Sequence, residues 1–263
     1  MEGGEDPKHL REVQYKDSSN LGARARLHER YGTATIGWFD FVASLVDWDR
    51  CQAALDAGCG NGLVWPTIDA RLQHPIEVTL ADLSAGMIEE ARARTNPLAH
   101  IRVVRAEVAD VQELPFADDS FDVVLANHML YHVPDHARAV RELARVLRGD
   151  GVLIAATNGS NSMPELTALR ETTPGFAQRF SRENGAAILG DAFADVTWHS
   201  YQDELHCTDA DDVVAYIESM SPGALTPADV DRLRATITER MVDGVFRVTK
   251  DTGAFVARNN AQP

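Results

Sequence analysis

Short apolar runs alternate with stretches of helical spacing between residues 52 and 157. Runs of about four to eight residues bounded by Gly, Asp or Asn are typical of buried strands, whereas apolar residues three or four positions apart predict helices. Alternation of the two favours a doubly wound α/β fold with a mostly parallel sheet. The predicted strands cover residues 52–55, 76–82, 101–105, 120–127 and 151–157.

The flanks of this region follow the pattern less regularly. Two helices, Leu21–Tyr31 and Trp38–Val46, are predicted before the first strand. Residues 158–190 are rich in Pro, Gly, Ser and Asn, and one helix is predicted there from Pro164 to Thr172. Further on we expect a strand over 194–205, helices over 209–220 and 226–241, and a hairpin that pairs 246–248 with 254–256.

A glycine-rich turn follows the first predicted strand. Asp56 ends the strand, and Gly58, Gly60 and Gly62 alternate before an apolar pattern that can start a helix. Alternate glycines permit a sharp turn and a close approach between the backbone and a ligand. The spacing differs from the G-x-G-x-x-G of dinucleotide sites, and a carboxylate at Asp56 would repel a diphosphate but attract a cation. The alternative is an ordinary glycine turn of an α/β protein.

Polar side chains also end the other predicted strands. Asp82 lies about twenty residues beyond the glycines, the separation at which a second strand presents a carboxylate to ribose hydroxyls. Asp110 and Asn127 follow the third and fourth strands. Because ligands of open parallel sheets bind at the carboxyl ends of the strands, we expect these residues to share one site with Asp56.

Three segments resemble motifs of one enzyme family. Residues 54–62 are similar to motif I of the class I S-adenosylmethionine-dependent methyltransferases, hydrophobic-hydrophobic-D-x-G-x-G-x-G. Asp82-Leu83-Ser84-x-x-Met87 has the form of the second motif. Residues 109–116 resemble the G-D-A-x-x-L-P-F segment of the ubiquinone/menaquinone-biosynthesis-like branch, with Ala109 in place of Gly.

The resemblance implies a Rossmann-like, doubly wound sheet of seven mostly parallel strands, with N-terminal helices covering a cofactor site. Residues 1–50 would form that helical cap segment, and 51–263 the methyltransferase domain, in which 158–190 is a substrate-pocket insertion. S-adenosylmethionine would be the cofactor and S-adenosylhomocysteine the product. The cofactor-binding residues would be Tyr15, Arg24, Asp56, Gly58, Gly60, Gly62, Asp82, Leu83, Met87, Asp110, Val111 and Asn127.

Roles within that set follow from the family. Asp110 would accept a hydrogen bond from the adenine amino group, and the Val111 N–H would meet the ring. Arg24 and Tyr15 lie on the segment expected to fold over the cofactor, where an Arg can bind the methionine carboxylate in bidentate fashion. The alternative for Arg24 is a surface side chain on an amphipathic helix.

Aromatic and histidine side chains are the candidates for the acceptor pocket. His132, just past the fourth strand, is the candidate general base, since imidazole titrates near neutral pH. A packing histidine is the alternative. The other pocket candidates are His28, Tyr31, His128, Tyr131 and Asn158.

The amino-acid composition limits the kinds of partner that the protein is expected to bind. The net charge is −15, which disfavours a nucleic-acid partner. The three cysteines form no C-x-x-C pair, which argues against a disulfide framework or a zinc site, so we expect no metal. Without an apolar leader or a long apolar run, the sequence predicts a cytoplasmic protein that does not contact membranes.

Taken together, the sequence predicts methyl transfer to an O or N atom of a small molecule, in bacterial biosynthesis or secondary metabolism. Two alternatives stay open. One is a cofactor-binding protein that uses the fold for other chemistry or as a partner subunit. The other is an RNA or protein methyltransferase, against which the lack of a basic stripe counts.

Overall fold

The computed structural model describes residues 19–169, 179–220 and 223–259, with side chains from residue 25 onward. Strands in the described residues are β1 (Ala53–Ala57), β2 (Ile76–Asp82), β3 (Ile101–Val108), β4 (Phe121–Asn127), β5 (Leu147–Asn158), β6 (Asp195–Tyr201), β7 (Glu204–Cys207), β8 (Phe246–Thr249) and β9 (Thr252–Arg258). Helices are α1 (Ser19–Tyr31), α2 (Trp38–Ser44), α3 (Trp65–Asp69), α4 (Ala85–Thr95), α5 (His136–Val146), α6 (Pro164–Thr167), α7 (Arg182–Leu189), α8 (Ala210–Met220) and α9 (Pro227–Arg240), with short 3₁₀ turns at Trp48–Arg50 and Leu130–His132.

Seven strands form the central sheet in the order β3-β2-β1-β4-β5-β9-β6. The neighbours from β3 to β5 pair in parallel, whereas β9 runs antiparallel to both β5 and β6. This arrangement confirms the predicted mostly parallel, seven-stranded sheet. The order reverses direction between β1 and β4, so the carboxyl ends of these two strands flank the crevice in which such sheets bind ligands.

The predicted hairpin between 246–248 and 254–256 is wrong. β8 instead pairs with β7 in a separate two-stranded sheet, and β9 enters the central sheet. Its burial explains the difference, because six of its seven residues are buried, as a strand between two neighbours and two layers requires. The predicted strand over 194–205 likewise divides at Gln202 and Asp203 into β6 and β7, one in each sheet.

Three apolar clusters hold the layers together. One lies on each face of the central sheet, and α2 packs into the first of them through Phe41 and Val42. The third is separate and joins α1, α6, α8, α9, β7 and β8, with Leu205 and Ile237 fully buried. We refer to these six elements as the cap. The cap is therefore built from separate segments of the chain: α1 precedes the central sheet, α6 lies between β5 and β6, and the others lie between β6 and β9.

The ends of the helices match the capping residues in the sequence. Ser84 accepts a hydrogen bond from the Met87 N–H at the start of α4, and Asp135 does so from the Arg138 N–H at the start of α5. Thr226 and Asp229 form a reciprocal capping box at the start of α9. The helix predicted from Pro164 to Thr172 is described only as far as Thr167, and 170–178 lie outside the described residues. No helix in the described ranges is both long and apolar enough to cross a bilayer.

Candidate active site

The three glycines of the turn after β1 have different structural roles. All have positive φ, between 51° and 73°. A Cβ on Gly58 would lie 2.8 Å from Met129, and one on Gly62 would lie 3.2 Å from Ala91 on α4, so both permit close packing within the protein. A Cβ on Gly60 would meet no protein atom within 4 Å. Gly60 therefore borders open space, which is what a ligand-facing position requires.

Backbone N–H groups of this turn are bound within the protein rather than offered to a ligand. Gly58 and Cys59 donate to the Ala81 carbonyl at 2.7 and 3.0 Å. Gly60 donates to Oδ2 of Asp82 at 2.9 Å. These three N–H groups are therefore occupied within the protein. The turn contributes the shape of the site, and hydrogen bonds to Ala81 and Asp82 of β2 hold the turn in place.

Asp56, at the end of β1, is a buried carboxyl. Its side chain is 1% exposed, and Oδ2 accepts a hydrogen bond from Nε1 of Trp65 at 2.9 Å. Burial, with a smaller contribution from the nearby Asp82, raises the pKa of Asp56 to about 7, while the hydrogen bond from Trp65 opposes the shift. Burial therefore favours the protonated form of this carboxyl group.

Asp82, at the end of β2, lies beside it. Its Oδ2 accepts from Gly60 N–H, and its Oδ1 accepts from Ser84 N–H at 2.8 Å. Burial raises the pKa of Asp82, against the opposing effect of these N–H donors. Among the described residues, no Lys or Arg is among the groups that shift the pKa of Asp82 or Asp56. A buried and a half-buried acid without a basic partner fit a ligand that brings its own positive charge.

Asp110 and Gln112 form the third polar position, beyond β3. Both oxygens of Asp110 accept from Nε2 of Gln112, at 3.1 and 3.0 Å, and Oδ1 also accepts from its backbone N–H. Oε1 of Gln112 in turn accepts from the Asp135 N–H, which ties the loop to α5. The side chain of Val111 is buried. Gln112 was not among the site residues predicted from the sequence. Its position close to Asp110 was the one feature that could have indicated its role.

Asn127 ends β4, the strand next to β1. Its Oδ1 is buried and accepts no hydrogen bond from any described residue. A buried amide oxygen without a donor is costly, so it points to a partner that the polypeptide does not supply. Leu83 is half-buried next to Asp82, and the Met87 side chain is fully buried on α4.

These positions together fit S-adenosylmethionine. The molecule carries a sulfonium cation, hydroxyl groups and amino donors, which match the acids without a basic partner, the Asn127 oxygen without a donor and the open space at Gly60. In the described part of the chain, no cluster of three His, Cys, Asp or Glu side chains has the geometry of a metal site.

Histidine and aromatic side chains lie just past β4. His128 has a φ of 52°, outside the usual range for a non-glycine residue, and its ring lies 5.0 Å from Trp38. Burial, together with the positive charge of Lys250, lowers the pKa of His128 to about 4. Tyr131 lies 4.5 Å from His132 and 6.4 Å from His128, ring to ring. The structure thus brings three of the predicted pocket residues together.

His28 joins this group from α1. Burial lowers its pKa to about 3, and Lys250 and His128 act in the same direction while Asp203 opposes them. Its Nδ1 is buried without a hydrogen-bond partner among the described residues. The imidazoles of His28 and His128 are therefore neutral at physiological pH.

Two other pocket candidates are engaged elsewhere. The Tyr31 hydroxyl donates at 2.7 Å to Asp212, a partly exposed residue of α8 in the cap. Oδ1 of Asn158 accepts from the Thr252 hydroxyl at 2.6 Å, which joins β5 to β9. Tyr15 lies outside the described residues, and Arg24 lies on α1 with its side chain outside them.

A buried ion pair between Asp203 and Lys250 was missed in the sequence. The two side chains are 3% and 7% exposed. Asp203 follows β6 and Lys250 precedes β9, so the pair lies where the chain passes between the central sheet and the cap. One feature of the sequence distinguishes Lys250. The chain has three lysines, and the other two lie within the first sixteen residues.

A cavity of about 710 Å³ lies away from all of these residues. It is lined by Asp119, Arg145, Asp191 and Ala194, among others. Since Asp119 precedes β4 and Ala194 precedes β6, the cavity opens at the amino ends of the strands. Ligands of such sheets bind at the opposite edge, so this cavity is not the candidate active site.

The sheet order, the acids at the ends of β1 and β2 and the glycine turn between them define the class I methyltransferase architecture. Residues 55–155 match the family model described as a methyltransferase domain. This match confirms the resemblance seen in the sequence for the residues it covers: 55–155 form a class I S-adenosylmethionine-dependent methyltransferase domain.

Similar proteins agree with this assignment. The 27-O-demethylrifamycin SV methyltransferase of Amycolatopsis mediterranei is 33% identical over 166 residues, 60% of this chain and 60% of that protein. The demethylmenaquinone methyltransferase of Staphylococcus epidermidis is 30% identical over 127 residues, 48% of this chain and 52% of that protein. The matches thus span only about half to three fifths of these relatives. The YcgJ protein of Bacillus subtilis has the same fold, with a TM-score of 0.55 at 20% identity, over 83% of this chain and 97% of that one.

Proposed function

We propose that the protein transfers a methyl group from S-adenosylmethionine to an oxygen or nitrogen atom of a small molecule. The observation that carries the proposal is a pair of acids, the buried Asp56 and the half-buried Asp82, which have no basic partner among the described residues and lie beside the open space at Gly60. A cationic ligand relieves the cost of withdrawing two ionisable acids from water at one place.

Five of the cofactor-binding residues have proposed tasks. Asp82 holds the ribose hydroxyls, and Asp56 faces the positive end of the cofactor. Asp110, with Val111, holds the adenine, and the Asn127 amide oxygen accepts from the cofactor's amino group. When bound, S-adenosylmethionine supplies an electrophilic methyl group on sulfur. The chain then has to orient the acceptor and exclude water.

The acceptor is proposed to be a small molecule of bacterial biosynthesis or secondary metabolism. The relative from Amycolatopsis mediterranei is named for O-methylation of a rifamycin, and the one from Staphylococcus epidermidis for methylation of demethylmenaquinone. A net charge of −15 does not suit RNA, so it supports a small acceptor over that alternative. We further propose His132, beside Tyr131 past β4, as the group that removes the acceptor's proton.

Calorimetry and a transfer assay test the proposal. S-adenosylhomocysteine should bind to the protein with a one-to-one stoichiometry, and Asp82→Ala should weaken that binding. Asp191→Asn is the matched control, because Asp191 is an exposed acid at the other edge of the sheet. Methyl transfer is then measured from S-adenosylmethionine labelled in the methyl group to extracts of small metabolites. Binding without transfer to any small-molecule fraction would favour the cofactor-binding alternative.

A further inference from the structure

Lys250 is a buried cation at the same edge of the sheet as the cofactor-binding acids. It is the one lysine within the described ranges, and its side chain is 7% exposed. Thr252, two residues on, is paired with Asn158 at the carboxyl end of β5. Lys250 therefore lies just beyond that end, on the side of β4 away from Asp56 and Asp82.

Asp203 does not satisfy the ammonium group by itself. Its Oδ2 pairs with Nζ of Lys250, while its Oδ1 accepts from the N–H groups of Thr33 and Ala34 at 2.8 and 3.0 Å. An ammonium group has three N–H donors. Within the described residues, Asp203 supplies the one hydrogen-bond acceptor for Nζ, so two donors are left over in a buried place. Buried donors without acceptors are costly, so a ligand or water must meet them.

Aromatic contacts connect Lys250 to the residues past β4. Its Nζ lies 5.4 Å from the centre of the Tyr201 ring. Trp38 lies 5.2 Å from Tyr201 and 5.0 Å from His128, ring to ring. The unpartnered Nδ1 of His28 belongs to the same group, because the charges of Lys250 and Asp203 both act on its ring. Unsatisfied polar groups therefore converge beside the strand where the methyl group is proposed to arrive.

We propose that Lys250 binds an oxyanion of the acceptor, so that the protein selects acceptors with an acidic oxygen: a phenol, an enol or a carboxylic acid. This inference rests on the proposed function and assigns its substrate class. Any proton on the acceptor's oxygen passes to His132, the base proposed above, and Lys250 holds the resulting anion. In the transfer, the new C–O bond forms as the S–CH₃ bond breaks, and the sulfur keeps the electron pair. The product is a neutral ether or ester, which Lys250 holds less tightly than the anion.

Lysine NMR tests the binding directly, because three lysines give few signals. The protein is labelled with [¹³Cε]lysine, loaded with S-adenosylhomocysteine and titrated at constant ionic strength with acetate, 4-nitrophenolate and benzyl alcohol. The Lys250 signal should shift saturably with the two oxyanions and not with the alcohol. The signals of Lys8 and Lys16 serve as internal controls. No saturable shift at Lys250, or an equal shift at all three lysines, would overturn the proposal.

A double variant separates this role from a purely structural one. Lys250→Met alone would leave Asp203 as an unpaired buried charge and could unfold the protein. The variant Asp203→Asn/Lys250→Met removes both charges. It should bind S-adenosylhomocysteine within about twofold of wild type but 4-nitrophenolate at least about tenfold more weakly, as expected for a lost hydrogen bond to a charged group.

The two proposals fail in different ways. Unchanged 4-nitrophenolate affinity in the double variant would show that Lys250 is only structural, whatever the fate of the cofactor. Wild-type protein that does not bind S-adenosylhomocysteine would count against the proposed function instead, and the Lys250 titration is then repeated on the protein alone, with the same two outcomes.

Discussion

Asp56→Asn should make the protein more stable, and by more at higher pH. The Asp56 carboxyl is 1% exposed, and burial raises its pKa from an ordinary value of 3.8 to about 7. Since the pKa is higher in the folded state, the folded protein holds this proton more tightly than the unfolded chain. The stabilisation that results is complete at low pH and is lost as the pH rises through 3.8 towards about 7. Above that pH the loss levels off.

The magnitude follows from the two pKa values. For one group with these values, the free energy of unfolding falls by about 2 kcal/mol between roughly pH 5.5 and pH 8. Asparagine has nearly the same shape and no charge, and its amide oxygen can keep the hydrogen bond from Nε1 of Trp65. The variant removes only the ionisation, so its gain over wild type should grow by about that amount across the interval.

Urea denaturation at both pH values measures this difference, with wild type and variant compared under matched salt. Asp191→Asn is the control, because an exposed acid should show no such trend. Equal gains at both pH values would refute the reasoning, since they would mean that Asp56 does not titrate in this range. Saturating S-adenosylmethionine should reduce the trend if the proposed cation faces Asp56.

Four further variants test single positions. Asp82→Ala should weaken S-adenosylhomocysteine binding by about 2–4 kcal/mol in calorimetry, the value of lost charge-assisted hydrogen bonds; unchanged affinity would exclude the ribose role. Gly60→Val should abolish binding with an unchanged circular dichroism spectrum, because its side chain would enter the open space at a φ of 51°. Gly58→Ala should instead lower the melting temperature, since its Cβ meets protein atoms at 2.8 Å. His132→Ala should slow methyl transfer about 100-fold with little change in cofactor affinity; a variant with normal turnover would rule out the base.

The sequence predicted the central sheet because its strands are short apolar runs between helices of clear periodicity. Asp82 and Asn127 could be placed at strand ends for the same reason: a polar residue after a buried run marks the point where the strand leaves the core. Parallel strands put those ends at one edge, so the grouping followed from the topology alone. The roles of Gly58 and Gly60 could not be separated in this way, because they depend on what a Cβ would touch.

The segments after residue 190 were harder to predict because their partners are distant in sequence. The alternation in 246–256 suits a hairpin, yet β9 is more completely buried between β5 and β6. Asp203 pairs with Lys250 across 47 positions and with Thr33 across 170. No local pattern encodes such contacts, and only the scarcity of lysine gave any indication.

The order of the strands gives the proposed site its polarity. Asp82 ends β2, Asp56 ends β1 and Asn127 ends β4, while Lys250 lies beyond β5 at the start of β9. In the sheet these strands succeed one another as β2, β1, β4, β5 and β9, so the acids and the lysine lie on opposite sides of β4. A cationic donor suits the acidic side and an anionic acceptor suits the basic side. Their reacting atoms would then meet past the end of β4, where His128 and His132 follow Asn127. The same arrangement disfavours an anionic acceptor on the side of Asp56 and Asp82, since the negative charge of an ionised carboxyl group there would repel an oxyanion.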